Sequence, residues 1–277
     1  MTNNANTPAS GQKRGLNSVA WQRLLPVLFP ATILIVLGIV WEFAHRAGAL
    51  PITVPSPAQI SKAALEDGPL LWHHARPTLL IALGAYVIAA AIVSFFSAMA
   101  TLFRQAEGTV LGVGLAIDSI PIIALTPIVM IWLGSGVGSK LTIATVPALF
   151  PLLVGAIQGL KAVDRGGAEL FHVLSASPWQ RFRKLALPSA LPFIFSGLKI
   201  AAPLAILGAL IAEWAGADRG LGVMMIYAMF AFNVPQLWLA ILATCATAVI
   251  AYGCVALAER LIVNWDTGGT LTDEIDT

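Results

Sequence analysis

Charge is the first thing this chain lacks. Only 11% of its 277 residues are Asp, Glu, Lys or Arg, against roughly 25% in a soluble globular domain. A water-soluble domain is therefore excluded. Cysteine is scarce as well. Cys245 and Cys254 are spaced so as to fall on opposite faces of a helix, which points to apolar fillers rather than a disulfide or metal site. Catalytic signatures are missing too. There is no His-Glu-x-x-His, no Gly-x-Ser-x-Gly and no cluster of carboxylates. The stretch GSGVGSK, residues 134–140, lacks the Gly-Lys-Ser/Thr ending of a phosphate loop. His73 and His74 point apart on a helix and read as interfacial residues. No catalytic residue, bound cofactor, metal or nucleic-acid partner is expected of this chain.

What is present is apolar length. Hydrophobic residues make up 58% of the chain and mean hydropathy is +0.83. Windows 24–41, 77–103, 141–160 and 220–258 carry no charge; 108–139 is broken only by Asp118, and 185–212 only by Lys199. About 20 apolar residues cross a bilayer as a helix, and lipid forces backbone polar groups to bond internally. The expectation is an all-α, polytopic membrane protein with six transmembrane helices, near 24–43, 78–101, 109–133, 141–160, 193–214 and 237–258. Residues 1–20 read as a disordered cytoplasmic tail, 21–265 as the membrane domain and 266–277 as a second tail. The apolar piece 220–235, with Asn233 and Pro235, reads as interfacial.

Orientation follows from Lys and Arg. With the N-terminus inside, Lys13, Arg14, Arg23, Arg104, Lys161, Arg165, Arg181, Arg183, Lys184 and Arg260 are cytoplasmic. Only Arg46, Lys62, Arg76, Lys140 and Arg219 face out. Both termini are expected in the cytoplasm, together with the loop 161–192.

Ionisable groups inside a membrane are costly and so tend to be functional. Asp118 and Ser119 precede Pro121 and Pro127, prolines that free backbone carbonyls in mid-span. Either Asp118, Ser119 and Pro121 line a polar pathway, or Asp118 bonds within a helix contact. Glu213 closes the fifth span as a gate residue or a solvated end. Lys199 is placed to snorkel. Gly155 and Gly159 stand in the register that permits close helix approach.

In the loop, Ser177-Pro178-Trp179-Gln180 has the form of a helix start, with Ser as N-cap, Pro at N1 and Gln closing a capping box. Trp179, Phe182 and Ala186 share one face, with Arg181, Arg183 and Lys184 around the rest. The helix is expected to stop before Pro188 and to lie across the membrane. It suits either a lipid surface or a groove on a cytoplasmic partner.

The spacing resembles the EAA loop of ATP-binding-cassette importer permeases: Glu-Ala-Ala, three residues, Gly, nine residues, Ile-x-Leu-Pro. Glu169, Leu187 and Pro188 match it outright, while Leu170, Phe171 and Ser175 depart from it. VPSPAQI, SIPIIALTPIVMIWLGSGVGSK, GLKAVD and AEWAGADRGLG extend the likeness, over about residues 50–265, to the nitrate/sulfonate/taurine branch. The region FSGLKIAAPLAILGALIAEWAGADRGLG is similar to permeases for thiamine-precursor pyrimidines.

The resemblance implies a type I importer permease in the bacterial inner membrane, working as a homodimer in the lipid bilayer. It also implies a cytoplasmic ATP-binding subunit that carries ATP and Mg, and an extracytoplasmic binding protein. Glu169, Ser175, Ser177, Trp179, Arg181, Phe182, Leu187 and Pro188 would couple to the ATPase. The implied cargo is a thiamine-precursor pyrimidine or similar heterocycle; nitrate, taurine or alkanesulfonates are the alternative. An ion-coupled transporter using Asp118 and Glu213 is the alternative class.

Overall fold

The computed structural model describes residues 16–103, 105–163 and 165–263, with side chains from residue 29 onward except 30, 31, 101, 102 and 165. Both expected tails fall mostly outside these residues. The helix α1, Leu16–Arg46, nevertheless begins within the stretch 1–20, so residues 16–20 belong to a helix. Residues 1–61 and 62–277 form separate compact units. In the first unit, the Glu42 carboxylate accepts from Arg46 Nε at 2.8 Å and from the Ala58 amide at 3.2 Å. The second helix, α2, is Pro57–Glu66.

The larger unit holds α3 (Gly68–Leu102), α4 (Ala106–Asp118), α5 (Ile122–Leu133), α6 (Val137–Lys161), α7 (Arg165–Val173), α8 (Pro178–Arg181), α9 (Leu187–Trp214), α10 (Leu221–Phe230) and α11 (Val234–Ile262). No strand occurs among the described residues. Four helices there are long and apolar enough to span a bilayer, or five if α4 and α5 count as one bent span. The third expected span is thus not straight. It bends by 92° between Asp118 and Ile122, where Pro121 supplies no amide donor and its carbonyl caps α5 through Ala124 and Leu125.

Helices α6 and α9 form the centre, and small residues are the reason. A Cβ added at Gly155 would stand 2.6 Å from the Phe193 carbonyl oxygen, and one at Gly159 2.7 Å from that of Ala190. Gly197 of α9 abuts α6 in the same way, 2.7 Å from the Pro151 oxygen. The two backbones therefore touch, and no side chain fits between them. Without a hydrophobic drive between helices in lipid, such backbone contact is what holds a pair together. The surrounding core is built from alanines, including Ala85, Ala89, Ala144, Ala148, Ala201 and Ala205.

Across this pair lies α3, with Tyr86 Oη donating to the Leu198 carbonyl at 3.1 Å. Its outer face, with Leu83, Val87 and Phe95, stays exposed, as do Val249, Ile250 and Leu257 of α11. Cys245 and Cys254 are free and exposed on α11. Lys199 does more than snorkel: its Nζ pairs with Glu259 Oε2 at 2.6 Å, joining α9 to α11. Lys161 and Glu107 pair where α6 ends and α4 begins.

Gly155→Leu is expected to separate α6 from α9. The cost should be about 3 kcal/mol, read as a lowered thermal midpoint in detergent. Gly253→Ala on α11, where an added Cβ meets nothing within 4 Å, should leave the midpoint unchanged.

Candidate functional site

The loop after α6 is organised by two capping devices. Helix α7 ends with the Ser175 amide on the His172 carbonyl at 3.0 Å and the Ala176 amide on that of Phe171 at 3.0 Å. This is a Schellman motif, and its C′ residue, Ser175, has φ of 48°. A left-handed residue is needed there, which is why a glycine suits that position of the pattern. Serine adopts the same conformation at some cost.

Two residues on, Ser177 Oγ accepts from the Gln180 amide at 3.3 Å and Gln180 Oε1 accepts from the Ser177 amide at 2.9 Å. The expected capping box is present in full. Arg181 fastens the two devices together, donating from Nε to the Ala176 carbonyl at 3.1 Å and lying 3.3 Å from His172 Nδ1 through Nη2.

The helix does not stop before Pro188. Residues 182–186 form a single π-helical turn, and the Leu187 amide bonds to the Phe182 carbonyl. The widened turn makes room for a proline ring and shifts the hydrogen-bond ladder past its missing donor. Pro178–Trp214 is then one continuous helix of 37 residues. Trp179, 66% exposed, stacks on Phe182 with ring centroids 5.7 Å apart. Leu170, Val173 and Leu174 at the end of α7 are exposed as well, as is Glu169 on α7.

The second locus is the bend. Asp118, Ser119 and Pro121 are all exposed there. Ser119 Oγ bonds back to the Leu115 carbonyl at 2.7 Å. Asp118 reaches the rim of a cavity of about 280 Å³ between α3, α4 and α6, whose other lining is almost wholly apolar.

Glu213, at the far end of α9, is neither a solvated end nor isolated. It is 3% exposed. Thr78 Oγ1 of α3 donates to its Oε1 at 2.7 Å, and the Gly222 amide donates to Oε2 at 2.8 Å. Thr78 Oγ1 in turn accepts from the Leu221 amide at 2.8 Å. The carboxylate and the hydroxyl thus satisfy two of the orphan amides that open α10. Gly220, φ 145°, has no room for a side chain, because a Cβ would overlap the Glu213 carboxylate.

His74, expected at an interface, is buried. Its Nδ1 lies 2.9 Å from the Gly220 carbonyl oxygen and 3.2 Å from the Gly220 amide. The piece 220–235 packs against the rest of the unit through α10. Leu221, Val223, Met224 and Ala228 of α10 are buried. Sequence reasoning missed Thr78 and read His74 as an interfacial residue alone. Their signal, polar residues one turn apart in an apolar span, has no visible partner until α10 is placed.

The sequence of residues 90–264 matches the family model described as a binding-protein-dependent transport system inner membrane component. The chain belongs to that family. Among curated relatives, it is 30% identical to the formylaminopyrimidine transport permease protein of Halalkalibacterium halodurans, over 89% of this chain and 97% of that one. It is 29% identical to the riboflavin transport system permease protein of Chloroflexus aurantiacus, over 94% and 97%. It is 26% identical to the putative aliphatic sulfonates transport permease protein of Bacillus subtilis, over 94% and 93%. This permease is therefore a membrane component of an ABC importer in the inner membrane, a transport subunit rather than a catalytic one.

Thr78→Val should strand the Leu221 amide and one Glu213 oxygen, costing about 1–3 kcal/mol for each buried group left unpaired; Thr78→Ser should keep most of the stability. Thermal unfolding of the purified permease separates the two. Ser175→Gly should relieve the left-handed residue by about 1 kcal/mol, seen as slower amide exchange at residues 171–176.

Proposed function

We propose that two copies of this permease form the pathway of an ATP-driven importer. Cytoplasmic ATP-binding subunits, which hold the ATP and Mg, sit on the loop 161–192, and an extracytoplasmic binding protein delivers cargo at the opposite end. The observation that carries the docking assignment is the stacked, exposed Trp179–Phe182 pair at the start of the long helix. A helix of 37 residues is about 55 Å long, more than a bilayer with its headgroups. Its first turns therefore project into water, where an aromatic pair needs a protein groove rather than lipid. Glu169, Ser175, Ser177, Trp179, Arg181 and Phe182 form or position that contact, and Leu187 and Pro188 carry it into α9.

Asp118, Ser119 and Pro121 line the cargo pathway. A carboxylate and an interrupted helix exposed in mid-span must meet water or a second protein surface. Glu213 belongs to the wall at the outer end, holding α10 in place. The cargo is a small polar nutrient. A thiamine-precursor pyrimidine or similar heterocycle comes first, because two of the similar relatives carry heterocycles in their names. Nitrate, taurine or an alkanesulfonate comes second.

Glu169→Lys and Trp179→Asp should each abolish co-purification of the ATP-binding subunit and stop uptake while leaving membrane insertion intact. Retention of that subunit by both variants would refute the docking assignment. Asp118→Asn should alter uptake kinetics with the ATP-binding subunit still bound. Uptake by the permease alone, collapsed by an uncoupler and indifferent to ATP, would instead favour ion coupling.

A further inference from the structure

Five cations were assigned by sequence to the outer side, and the structure sorts them into two groups. Arg46 pairs with Glu42 at 2.8 Å and Lys62 with Glu66 at 3.7 Å, each one helical turn away. Arg76, Lys140 and Arg219 make no ion pair among the described residues. These three line one cavity of about 600 Å³. They come from three separate elements: α3, the first turn of α6, and the link between α9 and α10.

Three like charges facing a single carboxylate repel one another, and a positive cleft with low-dielectric walls concentrates anions. Glu213 is the only carboxylate lining the cavity. Both of its oxygens are already occupied, by Thr78 and Gly222. Asp218, next to Arg219 in sequence, does not line it. The remaining wall is His73 and apolar or aromatic side chains, Trp72 and Leu80 among them. The volume lies in the range of small-molecule sites. Two guanidinium groups can each grip an oxyanion through paired N–H donors, and the lysine adds a point charge.

From this geometry we infer that the cavity bounded by Arg76, Lys140 and Arg219 is a reception site for the cargo, and that the cargo is a small organic anion. It carries one oxyanion head group (carboxylate, sulfonate or phosphate) on a flat or apolar body that packs on Trp72 and Leu80. The inference rests on the importer reading above and reverses its order of cargo, placing an alkanesulfonate or taurine ahead of an uncharged heterocycle.

Direct binding tests it without the ATP-binding subunit or binding protein, so its failure is distinct from failure of the importer reading, which uptake tests. The full chain is placed in phosphatidylcholine nanodiscs and titrated with radiolabelled benzenesulfonate, with neutral benzenesulfonamide as competitor. Saturable binding is expected, weakening with salt and unaffected by the sulfonamide. Arg76→Gln, Lys140→Gln and Arg219→Gln should each weaken it about tenfold, the loss of one charge-assisted contact. The triple variant should abolish it, and Lys62→Gln should leave it unchanged. Arg76→Lys and Arg219→Lys, which keep the charge but lose the paired donors, should weaken binding less than the glutamine variants and thereby separate loss of the site from loss of folding. No saturable binding, equal binding by the triple variant, or competition by the sulfonamide would overturn the proposal. Displacement of the probe by phosphatidylglycerol in the discs would assign the cations to a lipid phosphate and overturn it as well.

Discussion

Everything in the larger unit depends on how closely α6 and α9 approach. With backbone against backbone at Gly155, Gly159 and Gly197, the pair has one register and little freedom to slide. That contact fixes where α9 begins and ends relative to α6. The start of α9 receives the capped loop, and its end holds Glu213. Side chains elsewhere are mostly alanine or exposed aliphatics, which tolerate small shifts. Carbonyls packed against glycine Cα atoms do not.

The polar features serve this scaffold in an ordered way. At one end, a Schellman turn and a capping box convert an irregular loop into a stiff piece fastened by Arg181. At the other, Glu213 and Thr78 satisfy the opening amides of α10, which would otherwise be unsatisfied in a dry environment. In a separate span, built from α4 and α5, the helix is interrupted at the Asp118–Pro121 bend, where Asp118, Ser119 and Pro121 remain exposed. Exposure at that depth is tolerable only against water or a second protein surface.

Much of this was legible in the residues. Uncharged windows located the helices α3, α6, α9 and α11, because lipid leaves a chain few alternatives. Ser177 and Gln180 announced their own cap, since both partners lie within one turn. Pro188 misled, because a proline reads as a stop, and only the widened turn before it shows how the ladder passes through. The bend near Pro121 was signalled, but its angle was not. Glu213 was visible as an unusual charge, yet its role needed Thr78, which is distant in sequence. The same holds for Arg76, Lys140 and Arg219. Each looked like an ordinary loop cation until the fold brought them to one cavity. Contacts local in sequence could be read directly, and contacts made by folding could not.

The π turn at 182–186 has a mechanical consequence. Because it carries the helix past Pro188, one end of a single lever bears Trp179 while the other bears Glu213. Over about 55 Å, a tilt of roughly 5° about the inner end moves the outer end by about 5 Å. Since Glu213 grips the first turn of α10, that helix would be carried along with it. A small tilt about the Trp179 end is thus geared up into a displacement of about 5 Å at the Glu213 end.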